Sequence, residues 1–238
     1  LCSSRDDVSP ERPSVGLSHR AGLGDAAGVT KKRIALISTG GTIEKTYCEL
    51  HGVLDNQESV LDVMLAGLRL GGVDVVRVPL LNKDSLEMDE RDYALISQTA
   101  ISMTEAHDGV VVLHGTDRLQ VTGEHVVQSA PVPRVPIVLT GAMRPYIMRD
   151  TDAVQNLTEA LIAVQLLEPG VYCVMHGKAL QFPGVVKDKL RAYSGAIWVK
   201  RSHRSRGRDE IESRPSRDSQ IRVVACCLEM VITIVQYF

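Results

Sequence analysis

The stretch Ala35–Tyr47, "ALISTGGTIEKTY", decides how the rest of this chain is read. "ALIST" has the apolar run of a buried strand, with no polar alternation. Two adjacent glycines, Gly40 and Gly41, then break it. The hydroxyls of Thr39 and Thr42 stand on either side of them, and Tyr47 follows a few positions on. Three readings compete: a phosphate cradle, a plain tight turn, or a nucleophile presented at a strand end.

Working outward, the same pattern recurs. "KRIALIST" reads as the first strand, and Val60–Leu70 as a helix with Leu61, Leu65 and Leu68 at helical spacing. "VDVVRVPLL" is a second strand, and Asp89–His107 a second helix. "GVVVLHG", helical Gln120–Ala130 and "RVPIVLTG" come next. A helix capped at Asp150 or Thr151 then runs through Val154, Leu157, Leu161 and Val164 to a Pro169-Gly170 stop. "VYCVMHG" and "ALQFPGVV" complete the set. Apolar strands alternating with amphipathic helices predict a doubly wound α/β fold, its mostly parallel sheet covered by helices on both faces.

Residues 1–30, rich in Ser, Pro, Gly and Arg, show no apolar periodicity and read as a flexible leader. The fold is expected over residues 31–188. Residues 189–238 form an Arg/Ser-rich run and a final apolar segment, "IRVVACCLEMVITIVQYF", and neither continues the alternation. Two readings of this tail stand: a basic linker with an edge strand, or a segment that is not the natural continuation of the fold.

Composition narrows the function. The 238-residue chain has a net charge of −2 and only 4% aromatic residues. Neither favours nucleic-acid binding, because there is no basic excess and little to stack on bases. Its cysteines, odd in number and without C-x-x-C spacing, give neither a disulfide framework nor a metal site. With no apolar run resembling a signal peptide or membrane span, a cytoplasmic protein without membrane contact is expected.

In a doubly wound sheet, ligands sit outside the carboxyl ends of the strands. Five polar clusters fall at such ends: "TGGT", "NKDSLEMD", "HGTD", "TGAMRP" and the stretch around "VMHGKALQFPGVVK". The glycine pair matches neither G-x-x-x-x-G-K-[ST] nor G-x-G-x-x-G, and no lysine follows where a phosphate loop needs one. A plain turn leaves the surrounding threonines unexplained. The nucleophile reading accounts for them: Thr42 lies open in the turn, with backbone N–H groups near it to hold an oxyanion. Thr116 beside Asp117 supplies a second hydroxyl and a fixed charge. Lys187 can return to the same sheet edge and act as a base if desolvated.

At this point the chain resembles the bacterial-type L-asparaginases, amidohydrolases that use two threonines. "TGGTIE", "HGTD", "LTGAMRP" and "TDAVQNL" stand in that family's order and spacing between Lys31 and Lys187. Glutaminase-asparaginases and the asparaginase-like subunit of an archaeal-type tRNA amidotransferase share the set. The resemblance implies that Thr42, beside Gly41, is the nucleophile attacking a side-chain amide. Tyr47 corresponds to a mobile-loop tyrosine, on a loop that is short here. Ser85 grips the substrate carboxylate, Thr116 and Asp117 supply the second hydroxyl and hold the α-amino group, and Ala142 gives backbone contacts near the scissile amide. Lys187 falls at the catalytic lysine. Leu86 departs from the polar residue usual beside the serine, and Arg118 from the usual threonine after "HGTD".

The implied reaction is acyl transfer from an amino-acid amide to water, with no metal or organic cofactor. Other polar residues take plainer roles. His114 and His176 read as packed or hydrogen-bonded structural histidines, Arg144 as a loop brace, and Asp152 and Asn156 as residues that cap and tie down a helix start. Cys48 reads as a passive loop residue, and the arginines from Arg201 to Arg217 as a solvated linker. Members of the resembled family continue into a smaller second domain and work as homodimers or homotetramers, a neighbour's domain supplying an acid to each site. No such second domain is readable after Asp188. Glu210 and Glu212 sit in a run unsuited to holding a carboxylate in place. Low activity of the isolated chain is therefore expected.

Overall fold

The structure, a computed structural model, describes residues 30–56, 59–188 and 198–201. The leader, most of the Arg/Ser-rich tail, Glu210 and Glu212 lie outside the described residues.

The central sheet has six strands: β1 (Lys32–Gly40), β4 (Val73–Lys83), β5 (Gly109–Leu113), β6 (Ile137–Thr140), β7 (Val171–Met175) and β8 (Lys178–Gln181). They lie in the order β4-β1-β5-β6-β7-β8, parallel throughout except for the antiparallel edge strand β8. Two smaller antiparallel ladders stand apart: a hairpin of β2 (Thr46–Cys48) with β3 (Val53–Asp55), and β9 (Val185–Lys187) with β10 (Trp198–Lys200).

Alternate residues of each central strand enter different cores. Ala35, Ile37, Val110 and Val112 pack with Tyr93, Ile96, Ala100 and Val126 of α2 (Glu90–Met103) and α3 (Leu119–Ser129). Ile34, Leu36, Val111 and Leu113 pack with Leu61 and Met64 of α1 (Leu61–Ala66) and with Leu157, Leu161 and Val164 of α4 (Ala153–Leu166). Both faces are dry, so neither parity of position needs a polar residue, and the strands read as continuous apolar runs. This is the expected α/β architecture.

The differences from the sequence reading are local. Helix α1 is shorter than the periodicity suggests, because the chain turns at Gly67, whose N–H bonds back to Val63 and Met64. Helix α2 starts as a reciprocal capping box between Asp89 and Asp92. It stops at Thr104, whose hydroxyl bonds Ile101 O at 2.6 Å. "ALQFPGVV" is not one strand. It breaks at Pro183, which has no N–H to donate, and at Gly184, with φ +93°, so that β9 leaves the sheet for β10. No described helix is long and apolar enough to cross a membrane.

The strand order reverses between β1 and β5, the crevice where open α/β sheets bind ligands. The carboxyl ends of these two strands carry Gly40–Thr42 and His114–Asp117.

Candidate active site

The glycine turn is fixed by close approach. Gly40 and Gly41 have φ +90° and +82°, a region that disfavours residues with a Cβ. A Cβ on Gly41 would lie 2.5 Å from Gly115 Cα, so the β1 and β5 loops touch backbone to backbone. Gly41 N–H donates to Lys83 O at 3.1 Å. The Asn56 amide lies against the same peptide; with its nitrogen toward Gly41 O (3.1 Å) and its oxygen toward Gly41 N (2.9 Å), both groups are satisfied. Thr42, half-buried, then opens a short 3-10 turn, Thr42–Glu44. Glu44 is buried and accepts from Ser59 Oγ at 2.6 Å.

Thr39 and Thr42 separate in role. Thr39 is fully buried and donates to Leu113 O at 2.8 Å, stitching the end of β1 to the end of β5. Thr42 has no hydrogen bond from its hydroxyl among the described residues and stays available to a ligand.

Ser85 lies buried in the 3-10 turn after β4, and a Cβ on Gly115 would come within 2.5 Å of its Oγ. Asp84 caps that turn through Leu86 N–H (3.0 Å) and pairs with Lys45 Nζ at 2.7 Å. The lysine therefore ties the Thr42 turn to the Ser85 turn, and this hydrogen bond holds the Asp84 carboxyl below its usual range. Leu86 beside it points to solvent.

The β5 loop brings the second hydroxyl to the lysine. Lys187 Nζ lies 2.8 Å from Thr116 Oγ1 and 2.8 Å from Asp117 Oδ1. The lysine side chain is only 7% exposed and that of Asp117 37%, so the amine is enclosed while the carboxylate still faces outward. Behind this loop His114 is fully buried. Its Nδ1 meets Gly115 O at 2.8 Å, and a carbonyl can only accept, so Nδ1 carries the hydrogen. Nε2 then accepts from Thr122 Oγ1 at 2.8 Å. Desolvation pushes this imidazole down to about 4 and keeps it neutral.

Ala142 is buried in the β6 loop. That loop is held by Asp152, whose carboxylate accepts from Met143 N–H and Arg144 N–H, each at 3.0 Å, and from His176 Nε2 at 2.7 Å. Asp152 does not cap α4 with its side chain; Thr151 Oγ1 accepts from Ala153 N–H instead. Burial pushes the Asp152 carboxyl upward, but the His176 and backbone donors outweigh it and hold the group at about 2. Asn156 completes the tie, donating to Gly141 O and accepting from His176 N–H. Arg144 pairs with Asp150 and braces the loop.

Tyr47 stands apart from this cluster. It lies on the β2–β3 hairpin, 58% exposed, with no hydrogen bond to Thr42 among the described residues. The arrangement thus joins Gly41, Thr42, Ser85, Thr116, Asp117, Ala142 and Lys187 to the carboxyl edge of the sheet and leaves Tyr47 on a flap beside it. Sequence reasoning missed Asn56 and Gln120, which donate to or accept from backbone at this edge. A polar residue in a loop or on a helix surface carries no local signal of such a role. No group of three or more His, Cys, Asp or Glu suited to a metal ion occurs among the described residues.

Comparison with known proteins bears on the family and the fold. The family model "Asparaginase, N-terminal" matches residues 33–205, and the chain belongs to the asparaginase family. An L-asparaginase of Thermococcus kodakarensis is 30% identical over 150 residues, 62% of this chain and 45% of that protein. A glutamyl-tRNA(Gln) amidotransferase subunit from Thermoplasma acidophilum is 26% identical, covering 92% of this chain and 57% of that one. The solved structure of the thermostable T. kodakarensis L-asparaginase superposes with a TM-score of 0.64 at 25% identity, covering 77% of this chain and 58% of that one. The chain spans about half the length of the curated relatives it matches.

Proposed function

We propose that this chain carries the catalytic half of an L-asparaginase-type amidohydrolase, converting L-asparagine to L-aspartate and ammonia through Thr42. The observation that carries the reading is the Thr116–Lys187–Asp117 contact, which places an enclosed amine on a hydroxyl at the strand edge that also bears the Thr42 turn. In this reading Lys187, enclosed between Thr116 and Asp117, is the base that takes the Thr116 proton. Thr116 Oγ1 in turn takes up a proton delivered through substrate or water from Thr42.

The bonds change in two steps. Thr42 Oγ1 attacks the side-chain amide carbon, the C–N bond breaks, and ammonia leaves with the relayed proton. Water then attacks the β-aspartyl ester, the C–Oγ1 bond breaks, and Thr42 regains its proton. The developing oxyanion is met by backbone N–H groups of the strand-end loops other than those of Gly41, Met143 and Arg144, which are already bonded to Lys83 O and Asp152. Ser85 and Asp117 select a zwitterion, the serine meeting the carboxylate and the aspartate the ammonium. The reaction draws on no metal or organic cofactor. Tyr47, on the neighbouring hairpin, takes a supporting role by orienting the Thr42 hydroxyl, whose proton leaves through Thr116. The working protein is a cytoplasmic homodimer or homotetramer, its site completed by a second domain.

A second reading has support in the T. acidophilum match, which covers nearly the whole chain. In it, the same amide cleavage serves an amidotransferase with partner subunits, and the preferred amide differs. The test is ammonia release from L-asparagine against L-glutamine. Release from L-asparagine, stronger than from L-glutamine, supports the first reading, and the reverse order favours the second. No release from either, in protein completed with a second domain, leaves a ligand-binding module without hydrolysis.

A further inference from the structure

The lysine that meets Thr116 sits on a strand outside the main sheet. β9 is three residues long and pairs on one edge with β10 alone, through Lys187↔Trp198, Val186↔Val199 and Val185↔Lys200. A ladder that short holds a side chain loosely unless something fixes its other edge.

Helix α3 does so. Gln120 Oε1 accepts from Lys187 N–H at 2.7 Å, and Glu124 Oε1 accepts from Gly184 N–H at 2.6 Å. These residues are one turn apart, on the helix face that meets the strand. Between them lies Gly123, where a Cβ would fall 2.1 Å from the Phe182 ring, so ring and helix backbone are in direct contact. The helix thus offers the strand two acceptors and a flat seat, much as a neighbouring strand would.

The Gln120 contact differs from that of Glu124 in what it holds. Thr116, Asp117 and Gln120 belong to one short segment, the β5 loop and the first turn of α3. Thr116 Oγ1 and Asp117 Oδ1 take the Lys187 amine, while Gln120 takes the backbone N–H of the same residue. Both ends of the lysine are gripped by that segment, so its reach to Thr116 is set locally and does not depend on how well β9 and β10 pair.

We propose that Gln120 is a positioning residue that sets the reach of Lys187 to Thr116. Its catalytic consequence rests on the reading of Lys187 given above, but the contact itself is testable without turnover.

The experiment labels lysines with a small amine-reactive acylating reagent and follows each site by peptide mass spectrometry, in the parent, Gln120→Leu and Gln120→Glu. Leucine removes the acceptor and glutamate keeps one. Labelling of Lys187 relative to Lys32 and Lys83 is expected to rise about five- to tenfold in Gln120→Leu, the worth of one hydrogen bond, and to return to the parental ratio in Gln120→Glu. Gln120→Asn, whose shorter amide falls short of the Lys187 N–H, carries the same expectation as leucine and serves if leucine lowers the melting temperature. In protein that cleaves amides, kcat falls by a similar factor with KM unchanged, and Gln120→Glu restores it. A Lys187 ratio within twofold of the parent in the acceptor-less variants, or no restoration by glutamate, overturns the assignment. Loss of labelling protection in a protein that never releases ammonia upholds the Gln120 contact and rejects only the amidohydrolase reading.

Discussion

Lys187 and Thr116, 71 positions apart in the chain, meet at 2.8 Å, and Asp117 binds the same amine at the same distance. The two elements that carry them, β9 and the β5 loop, have no backbone ladder in common. Their meeting is made by side chains.

On the amidohydrolase reading proposed above, removing either partner disables the same proton path. Thr116→Val and Lys187→Met should each lower kcat for amide hydrolysis by about 10²- to 10⁴-fold, the usual range for a general acid–base partner. The double variant should be no worse than the weaker single one. Steady-state kinetics on the four proteins decides it, and additive losses would make Lys187 a structural residue.

Buried, neutral His114 gives the fold a specific acid sensitivity. Its value of about 4 lies below that of an ordinary histidine near 6.5, so the unfolded chain takes up the proton first as pH falls. The stability it contributes is in place above pH ~6.5 and is lost as pH falls toward 4, about 3 kcal/mol in all. Urea unfolding at stepped pH should show this slope in the parent and lose it in His114→Gln. A parental stability that is flat from pH 6.5 to 4 would contradict the burial of a neutral ring.

Gly123→Ala would drive a methyl into the Phe182 ring. The ring must move, and with it the turn that leads into β9. A loss of about 1–3 kcal/mol is expected from such overpacking, measured by thermal or urea unfolding. A neutral result would mean that Phe182 does not rest on α3.

Asp152→Ala removes the acceptor shared by Met143 N–H, Arg144 N–H and His176. Leaving these donors unpaired should cost about 1–3 kcal/mol or more and loosen the Ala142 loop. Hydrogen exchange of the Met143 and Arg144 amides reads this directly; unchanged protection would show that the loop is held by other contacts.

Much of the fold is legible in the sequence alone. The parallel sheet announces itself because strands such as Val110–Leu113 are buried on both faces and cannot alternate. The glycine turn is equally plain, since Gly40-Gly41 at a strand end has few uses. What stays hidden are the contacts made across the fold. Nothing local marks Gln120 as the acceptor for Lys187, or Asn56 as the partner of Gly41, because each faces a backbone group far away in sequence. The break of "ALQFPGVV" into β8 and β9 depends on Gly184 adopting φ +93°. The same residue donates its N–H to Glu124 of α3, a partner sixty positions away. Asp152 has the look of a helix cap, and its carboxylate instead turns back to the Ala142 loop, where several donors converge.

The role of Thr42 as nucleophile is decided by a single comparison. Ammonia release from L-asparagine is measured for this chain joined to the portion of the T. kodakarensis L-asparaginase that it does not match, with Thr42 and with Thr42→Ala, alongside equilibrium binding of L-aspartate. Turnover is expected in the first protein and none above background in the second, with L-aspartate still bound by both. Parental turnover in Thr42→Ala would contradict it.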